Sequence, residues 1–408
     1  MTIRGPKGTD DIFPPVSRIW ARVLRTWDDL VARYGYEQAM VPLFEPTDLF
    51  ARGVGETTEV VSKQMYTFDD RSGRSLTLRP EGTAGIVRAY IQAGSPGTMK
   101  LSYSGAMFRY EQPQAGRRRQ FWQTGVEYLD VTSPWADAEV IEVGYRFLEA
   151  IGLGPITVLV NTLGDHQDRP AYLETLREWL RERNADLSED SRRRVETNPM
   201  RVLDSKEDAE VVAGAPTPDA FVSAAAAEHH GQVIDALDVV GIDHRAAPQL
   251  VRGLDYYTRT AFEYVVEAYE AAQASLGGGG RYDGLAEALG GRPTPSVGLA
   301  MGIDRIILAL AGSDEALPLD VFVVLADPNL QTEAVRLVGR LRRGGVAADL
   351  DLEPGSVKAE FRHAGGRARY AAVVGEEWAA GKVVVRDLGT GEQQLVGLDD
   401  LDEWITPS

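Results

Sequence analysis

Two runs, KLSYSGAMFRYE (residues 100–111) and RQFWQTGVEYLD (residues 119–130), are joined by the short polar loop QPQAGRR. Strand-like composition on both sides of so short a connection predicts a β-hairpin with a basic tip. Period-2 alternation places Arg119, Phe121, Gln123, Gly125 and Glu127 on one face and Trp122, Thr124, Val126 and Tyr128 on the other. In the partner run Arg109 and Glu111 align, while Phe108 and Tyr110 face the opposite way. One face therefore reads as core. The other gathers guanidinium, carboxylate, amide and aromatic groups, a set able to hold a phosphate, an ammonium and a flat ring together. The plain alternative is an exposed strand face whose Arg, Gln and Glu serve only solubility.

The chain has 408 residues, 44% of them hydrophobic, which suits two or three ordinary domains. With no cysteine, disulfides, thiolate zinc sites and cysteine nucleophiles are excluded, and the five histidines show no HExxH spacing. No resident metal site is expected. His229 and His230, adjacent in an Ala-rich segment, read as a solvated helix face. Neither the N-terminal residues nor any later run has the apolar length of a secretory signal or a membrane span, so the expectation is a cytoplasmic protein without membrane contact. The net charge of -18 repels a polyanion at long range, and any nucleic-acid partner needs a local basic patch.

Along the chain, residues 17–34 carry Trp20, Val23, Leu24, Trp27, Leu30, Val31 and Tyr34 at three- and four-residue spacing, predicting an amphipathic helix that ends at Gly35. YEQAMVPLFEP follows as a strand, and its Pro42 suggests a sheet edge or a subunit boundary. Residues from about 164 to 248 are Ala-rich, charged and helical in pattern, with SRRRVE in the middle, and read as an inserted helical subdomain whose charges are solvated. Strand signals resume at LVRGLDYYTRTAFEYVV and continue through GGGGRYDG to SVGLAMGIDRIILALAG, a glycine-rich turn running into a buried helix. GSDEALPLD reads as a linker, and alternating β and α patterns beyond it predict a small α/β domain.

Further polar residues stand in apolar or constrained settings: Glu81 and Thr83 in TLRPEGTAG, Arg252 in LVRGLDYYTR, Tyr282 after four glycines, and Arg305 in GIDRIILAL. Arg305 alone reads better as an ion pair with Asp304 or another acid. No Walker motif and no GxGxxG is present, so a nucleotide would have to be held by arginine side chains.

Together these segments resemble the class II aminoacyl-tRNA synthetases, and within them the histidyl-tRNA synthetase family, over nearly the whole chain. YGYEQAMVPLFEP resembles motif 1 of the class, FRYEQPQAGRRRQF motif 2 and VGLAMGIDR motif 3. LVRGLDYYTR and GGGRYDG, with RGPKGTDDIFP and TLRPEGTAG, are similar to stretches of the histidine enzymes. The resemblance implies an α+β fold: an antiparallel class II sheet flanked by helices in residues 1–317, interrupted by the helical insertion, and a C-terminal α/β anticodon-binding domain in residues 318–408.

It also implies residue roles. Arg109 would contact the α-phosphate of ATP, Phe121 would stack on adenine with Arg305 over its other face, and Glu111 would lie near the adenine edge. Glu81, Thr83 and Gln123 would hold the ammonium of L-histidine, Glu127 and Tyr257 its imidazole, with Tyr256 and Tyr282 lining the pocket. Arg252 would meet the α-phosphate and the attacking carboxylate, and Mg2+ would accompany ATP. Strand parity places Tyr256 rather than Tyr257 beside Arg252, although Gly253 could break it. Gln112, Arg117 and Arg118 at the hairpin tip would approach the end of histidine tRNA. Arg340, Arg342 and Arg343, or Lys358, Arg362, Arg367 and Arg369, would serve RNA in a C-terminal domain holding ten Lys/Arg against fifteen Asp/Glu. Motif 1 implies a homodimer. Two rivals remain: a catalytically inactive relative acting as a regulatory subunit in histidine biosynthesis, and a class II synthetase for another amino acid.

Overall fold

A computed structural model describes residues 3–55, 58–203, 205, 207–251, 254–266, 275–310 and 319–405. The chain divides into two units, Met1–Ser313 and Asp314–Ser408. Arg252 and Gly253 lie outside the described residues, as does most of the expected linker.

The first unit is built on an eight-stranded sheet in the order Glu37–Gln38, Met99–Phe108, Gln120–Leu129, Ser296–Gly302, Ser275–Arg281, Thr258–Val266, Ile156–Thr162, His244–Ala246. The six central strands are antiparallel neighbours, and a short parallel strand closes each edge. The hairpin pairs Phe108 with Gln120 and Met99 with Leu129, giving the α+β architecture expected. Its core face is covered by helices Val16–Arg33, Pro134–Ala150 and Ala224–Val240. Trp20 meets Trp122 edge-on, Trp27 meets Phe147, and Val126, Leu299 and Phe262 complete the packing. Ser133 caps the second of these helices and Pro134 occupies its first turn.

Three expectations are corrected. YEQAMVPLFEP is two short strands, Glu37–Gln38 and Phe44–Pro46, in different sheets, with Pro42 between them, because a residue without an N–H cannot continue a ladder. SVGLAMG is a central strand rather than a turn. Gly298 is required there by space, since a Cβ on it would collide with the Glu127 carboxylate. In LVRGLDYYTR, Leu254 to Tyr256 form a bend and turn, and the strand begins only at Thr258. The carbonyls of Asp255 and Tyr257 are satisfied by the guanidinium of Arg169 instead of a neighbouring strand.

Within the expected insertion, helices Arg169–Glu182, Glu189–Thr197, Met200–Leu203 and Ala209–Val212 surround a separate core of Tyr172, Leu176, Leu180, Val195 and Val202. Buried Asp208 knits their connections, accepting from Ser188 N, Ser188 Oγ, Ser191 Oγ and Ser205 Oγ. Ala224–Val240, by contrast, packs into the core of the main sheet. His229 is therefore buried at 6% exposure, which corrects the solvated face read from sequence.

The second unit has a five-stranded sheet in the order Ala348–Leu350, Leu319–Leu325, Ala368–Val374, Lys382–Asp387, Gln393–Gly397. The first three strands are parallel and the rest antiparallel, with helices Gln331–Arg343 and Val357–Ala364 packed on the parallel part.

Candidate functional site

The polar face of the hairpin lies over a cavity of about 1030 Å3. Its floor is main chain: Gly277, Gly298 and Gly302 face it from neighbouring strands. Strand alternation aims Phe121 and Gln123 into it, and Glu127 lies further along the same face. Arg119 leaves the alternation because the strand starts at Gln120; its guanidinium instead covers the Tyr110 ring at 3.8 Å.

At the enclosed end Glu127 is fully buried. Its Oε1 accepts from Thr83 Oγ1 at 2.6 Å, and the Tyr282 hydroxyl donates to Oε2. Burial raises the Glu127 carboxyl to about 8, against the pull of these two hydroxyls. Glu81, also buried, accepts from the backbone N–H groups of Thr83 at 2.7 Å and Ala84 at 2.8 Å, so it caps the helix Thr83–Gln92 while lining the cavity. Burial raises its pKa too. Tyr256 and Tyr257 both line this end, with ring centroids 4.7 Å apart; their turn conformation removes the parity that separated them in sequence. Gln123 Oε1 is buried with no hydrogen-bond partner among the described residues, an acceptor aimed at a donor yet to arrive.

The wider end is cationic. Arg109 donates from Nε to Pro80 O at 2.8 Å and lies 5.2 Å from the Phe121 ring centroid. Glu111 sits 3.9 Å from both Arg109 and Arg117. Arg305 donates to Ser275 O at 2.9 Å, while Asp304 turns to Trp122 N, so these adjacent charges go separate ways. Burial, then repulsion from Arg117, lowers the Arg305 pKa, the signature of a partly desolvated cation suited to an anion.

The cavity thus brings together Glu81, Thr83, Arg109, Glu111, Arg117, Arg118, Phe121, Gln123, Tyr256, Tyr257, Tyr282 and Arg305. Glu127 stands behind Thr83 and Tyr282, and Gln112 is exposed on the loop outside the lining. Arg194 and Arg201, from the insertion, also line it. For Arg194 the SRRRVE run was the only signal, and its charges read as solvated; nothing in the sequence marked Arg201. Arg118 pairs with Asp10 at 2.6 Å, and Arg119 N donates to Gly8 O, so the N-terminal residues strap the hairpin loop.

Residues 8–306 match the family model for histidyl-tRNA synthetase, and residues 320–407 that for an anticodon binding domain. The chain belongs to the histidyl-tRNA synthetase family. The histidine–tRNA ligase of Synechococcus elongatus is 43% identical to this synthetase over 99% of the chain and 95% of its own length. That of Saccharopolyspora erythraea is 46% identical over 98% and 97%. The apo histidyl-tRNA synthetase of S. aureus superposes with a TM-score of 0.77 at 36% identity, covering 99% of this chain and all of that one.

Proposed function

We infer that this chain is a histidine–tRNA ligase that activates L-histidine with ATP and transfers it to the 3′ end of histidine tRNA. The observation that carries this reading is a single cavity with a cationic end flanked by Phe121 and an enclosed end where an unpartnered Gln123 Oε1 meets the Glu127, Thr83 and Tyr282 set. In the first step a histidine carboxylate oxygen attacks the α-phosphorus, and pyrophosphate leaves with the electron pair of the broken P–O bond. The attacking group is already ionised at neutral pH, so positioning and charge neutralisation carry the step. We assign the α-phosphate to Arg109 and Arg252, the γ-phosphate and one face of adenine to Arg305 with Phe121 on the other face, and the adenine edge to Glu111. Glu81, Thr83 and Gln123 take the ammonium, Glu127 and Tyr257 the imidazole, and Tyr256 and Tyr282 wall the pocket. In the second step a terminal hydroxyl of the tRNA attacks the adenylate carbonyl and AMP departs. A site that satisfies both ring nitrogens rejects isosteres by leaving its own buried groups unpaired.

Mg2+ bound with ATP would neutralise phosphate charge. Glu111, a carboxylate in the cavity lining, would be the residue able to help hold the ion. Gln112, Arg117 and Arg118 face the tRNA end; an incoming phosphate would compete with Asp10 for Arg118. In the C-terminal unit Arg340 is paired with Asp402 and both Arg342 and Arg367 with Asp349, so Arg343, Lys358, Arg362 and Arg369 are the stronger RNA candidates of the two clusters. The exposed apolar side chains Met40, Leu43 and Phe44 in motif 1 support a homodimer. Among the described residues no helix is long and apolar enough to cross a membrane, and we assign the enzyme to the cytoplasm.

ATP–pyrophosphate exchange with single amino acids tests the substrate: a response to histidine alone is expected, and one to threonine, proline or glycine refutes the assignment. Charging of histidine tRNA separates the ligase from a regulatory relative, which would bind histidine without aminoacylation. Sedimentation showing an active monomer would remove the dimer.

A further inference from the structure

The strand Ser275–Arg281 ends in Arg281, and alternation sends this side chain through the sheet, away from the cavity that its neighbour Tyr282 lines. Arg281 is fully buried. Its Nε donates to Asp137 Oδ1 at 3.2 Å and its Nη2 to Asp137 Oδ2, while Nη1 reaches Val131 O at 2.7 Å and Asp283 Oδ1 at 3.2 Å. Asp137 Oδ1 has a further neighbour, His229 Nε2, at 3.3 Å, and His229 Nδ1 in turn faces Arg259 Nη1 at 3.4 Å. A guanidinium only donates and a carboxylate only accepts, so both contacts are satisfied by one tautomer: neutral imidazole with its proton on Nε2. The far edge of Arg259 is held by Asp165 at 2.6 and 3.2 Å.

Arg259 is also where the strand is irregular. Its φ is +45°, a conformation that a non-glycine residue keeps only when its surroundings hold it. The register shifts here, pairing Gly280 with Ala261 but Arg281 with Thr258. A bulge of this kind re-aims the chain beside it, and Tyr257 stands two residues before Arg259. The ring of Tyr257 lies so close to Gly280 that a Cβ there would come within 2.8 Å of it. Tyr257 and Tyr282, on two segments of the pocket wall, thus each stand within two residues of an arginine anchored on the same buried set.

We infer that Asp137, His229, Arg259 and Asp165 form a positioning relay that fixes the aim of Tyr257 and Tyr282, and so tunes recognition of the histidine side chain without touching it. This rests on the reading that these tyrosines hold the amino acid. The relay joins helix Pro134–Ala150, helix Ala224–Val240 and the bulged strand, so loosening it releases the pocket wall while leaving the arginines of the nucleotide end in place.

The test is ATP–pyrophosphate exchange on the full chain, with KM for histidine and for ATP measured separately and Tm recorded for each variant. His229→Leu fills the space but can neither donate nor accept. It is expected to raise the histidine KM about tenfold, the worth of one well-aligned hydrogen bond, with the ATP KM held within about twofold. His229→Gln can donate to Asp137 and accept from Arg259, and is expected to restore most of the loss. Asp165→Asn, at the half-buried outer end, is expected to move the same constant less, and it decides by the same criterion if His229→Leu fails to fold. A folded His229→Leu enzyme with unchanged histidine KM, or with both KM values raised together, overturns the relay. Tyr257→Phe separates the two readings: if it raises the histidine KM while the relay variants do not, the pocket stands and the relay falls. If it has no effect, the pocket assignment fails and takes the relay with it.

Discussion

Glu127 is the residue on which the enclosed end turns, because it is a carboxyl buried completely and already accepting two hydroxyl hydrogen bonds. Its pKa of about 8 compares with an ordinary 4.5, so the folded protein holds a proton that the unfolded chain has released. Its contribution to stability is therefore full at acid pH and is lost as the pH rises from about 4.5 through about 8. Glu127→Gln cannot titrate, and thermal melts of the apo protein should show the variant gaining on the parent across that window. In kinetics the amide nitrogen cannot accept a hydroxyl hydrogen bond as either carboxyl oxygen can, so the histidine KM should rise by about tenfold or more with the ATP KM unchanged. Equal losses in both would show that Glu127 supports the cavity as a whole. Gln123 was legible as a cavity-lining residue from alternation, since Phe121 and Glu127 share its face. His229 was not, because its partner Asp137 is 92 residues away and nothing local marks the helix face as covered.

Among the elements, the hairpin could be read from sequence because its side chains carry the period of a strand on both sides of one loop. The Leu254–Tyr257 segment could not, because Leu, Tyr and Tyr suit a strand equally well and what bends it is a distant guanidinium, Arg169, that takes its carbonyls. The glycines of SVGLAMG misled for a related reason: Gly298 marks close packing between strands, which sequence alone cannot tell from a turn. The insertion offers a test of its own. Asp208 accepts from four donors, which depresses its pKa to about 2 despite the opposing effect of burial. Its stabilisation is present above about pH 4 and is lost as the pH falls toward about 2. Asp208→Asn, by giving those donors a partly donating neighbour, should destabilise the insertion by about 1–3 kcal/mol. Amide exchange should then quicken in residues 169–221 and hold steady in the main sheet. Uniform quickening would mean that the insertion does not open independently.

At the scale of the whole chain, two units with separate hydrophobic cores match a synthetase model and an anticodon binding domain respectively. A chain ending near residue 313 keeps every described cavity residue and should retain histidine-dependent pyrophosphate exchange within about tenfold, while charging of histidine tRNA should fall by at least about a hundredfold. Loss of exchange as well would show that the catalytic unit needs the second one to fold or to act. The net charge of -18 leaves room for a polyanionic substrate, because local cations are gathered at one end of the cavity and, in the second unit, at Arg343, Lys358, Arg362 and Arg369. The glycine-lined bottom of that cavity has a practical consequence. Where Gly298 lines it beside Glu127 there is no side chain left to trim, and room for a bulkier histidine analogue would be opened by shaving the tyrosines and the threonine around it. Any redesigned enzyme of this lineage must therefore trade grip on its natural amino acid for breadth of diet.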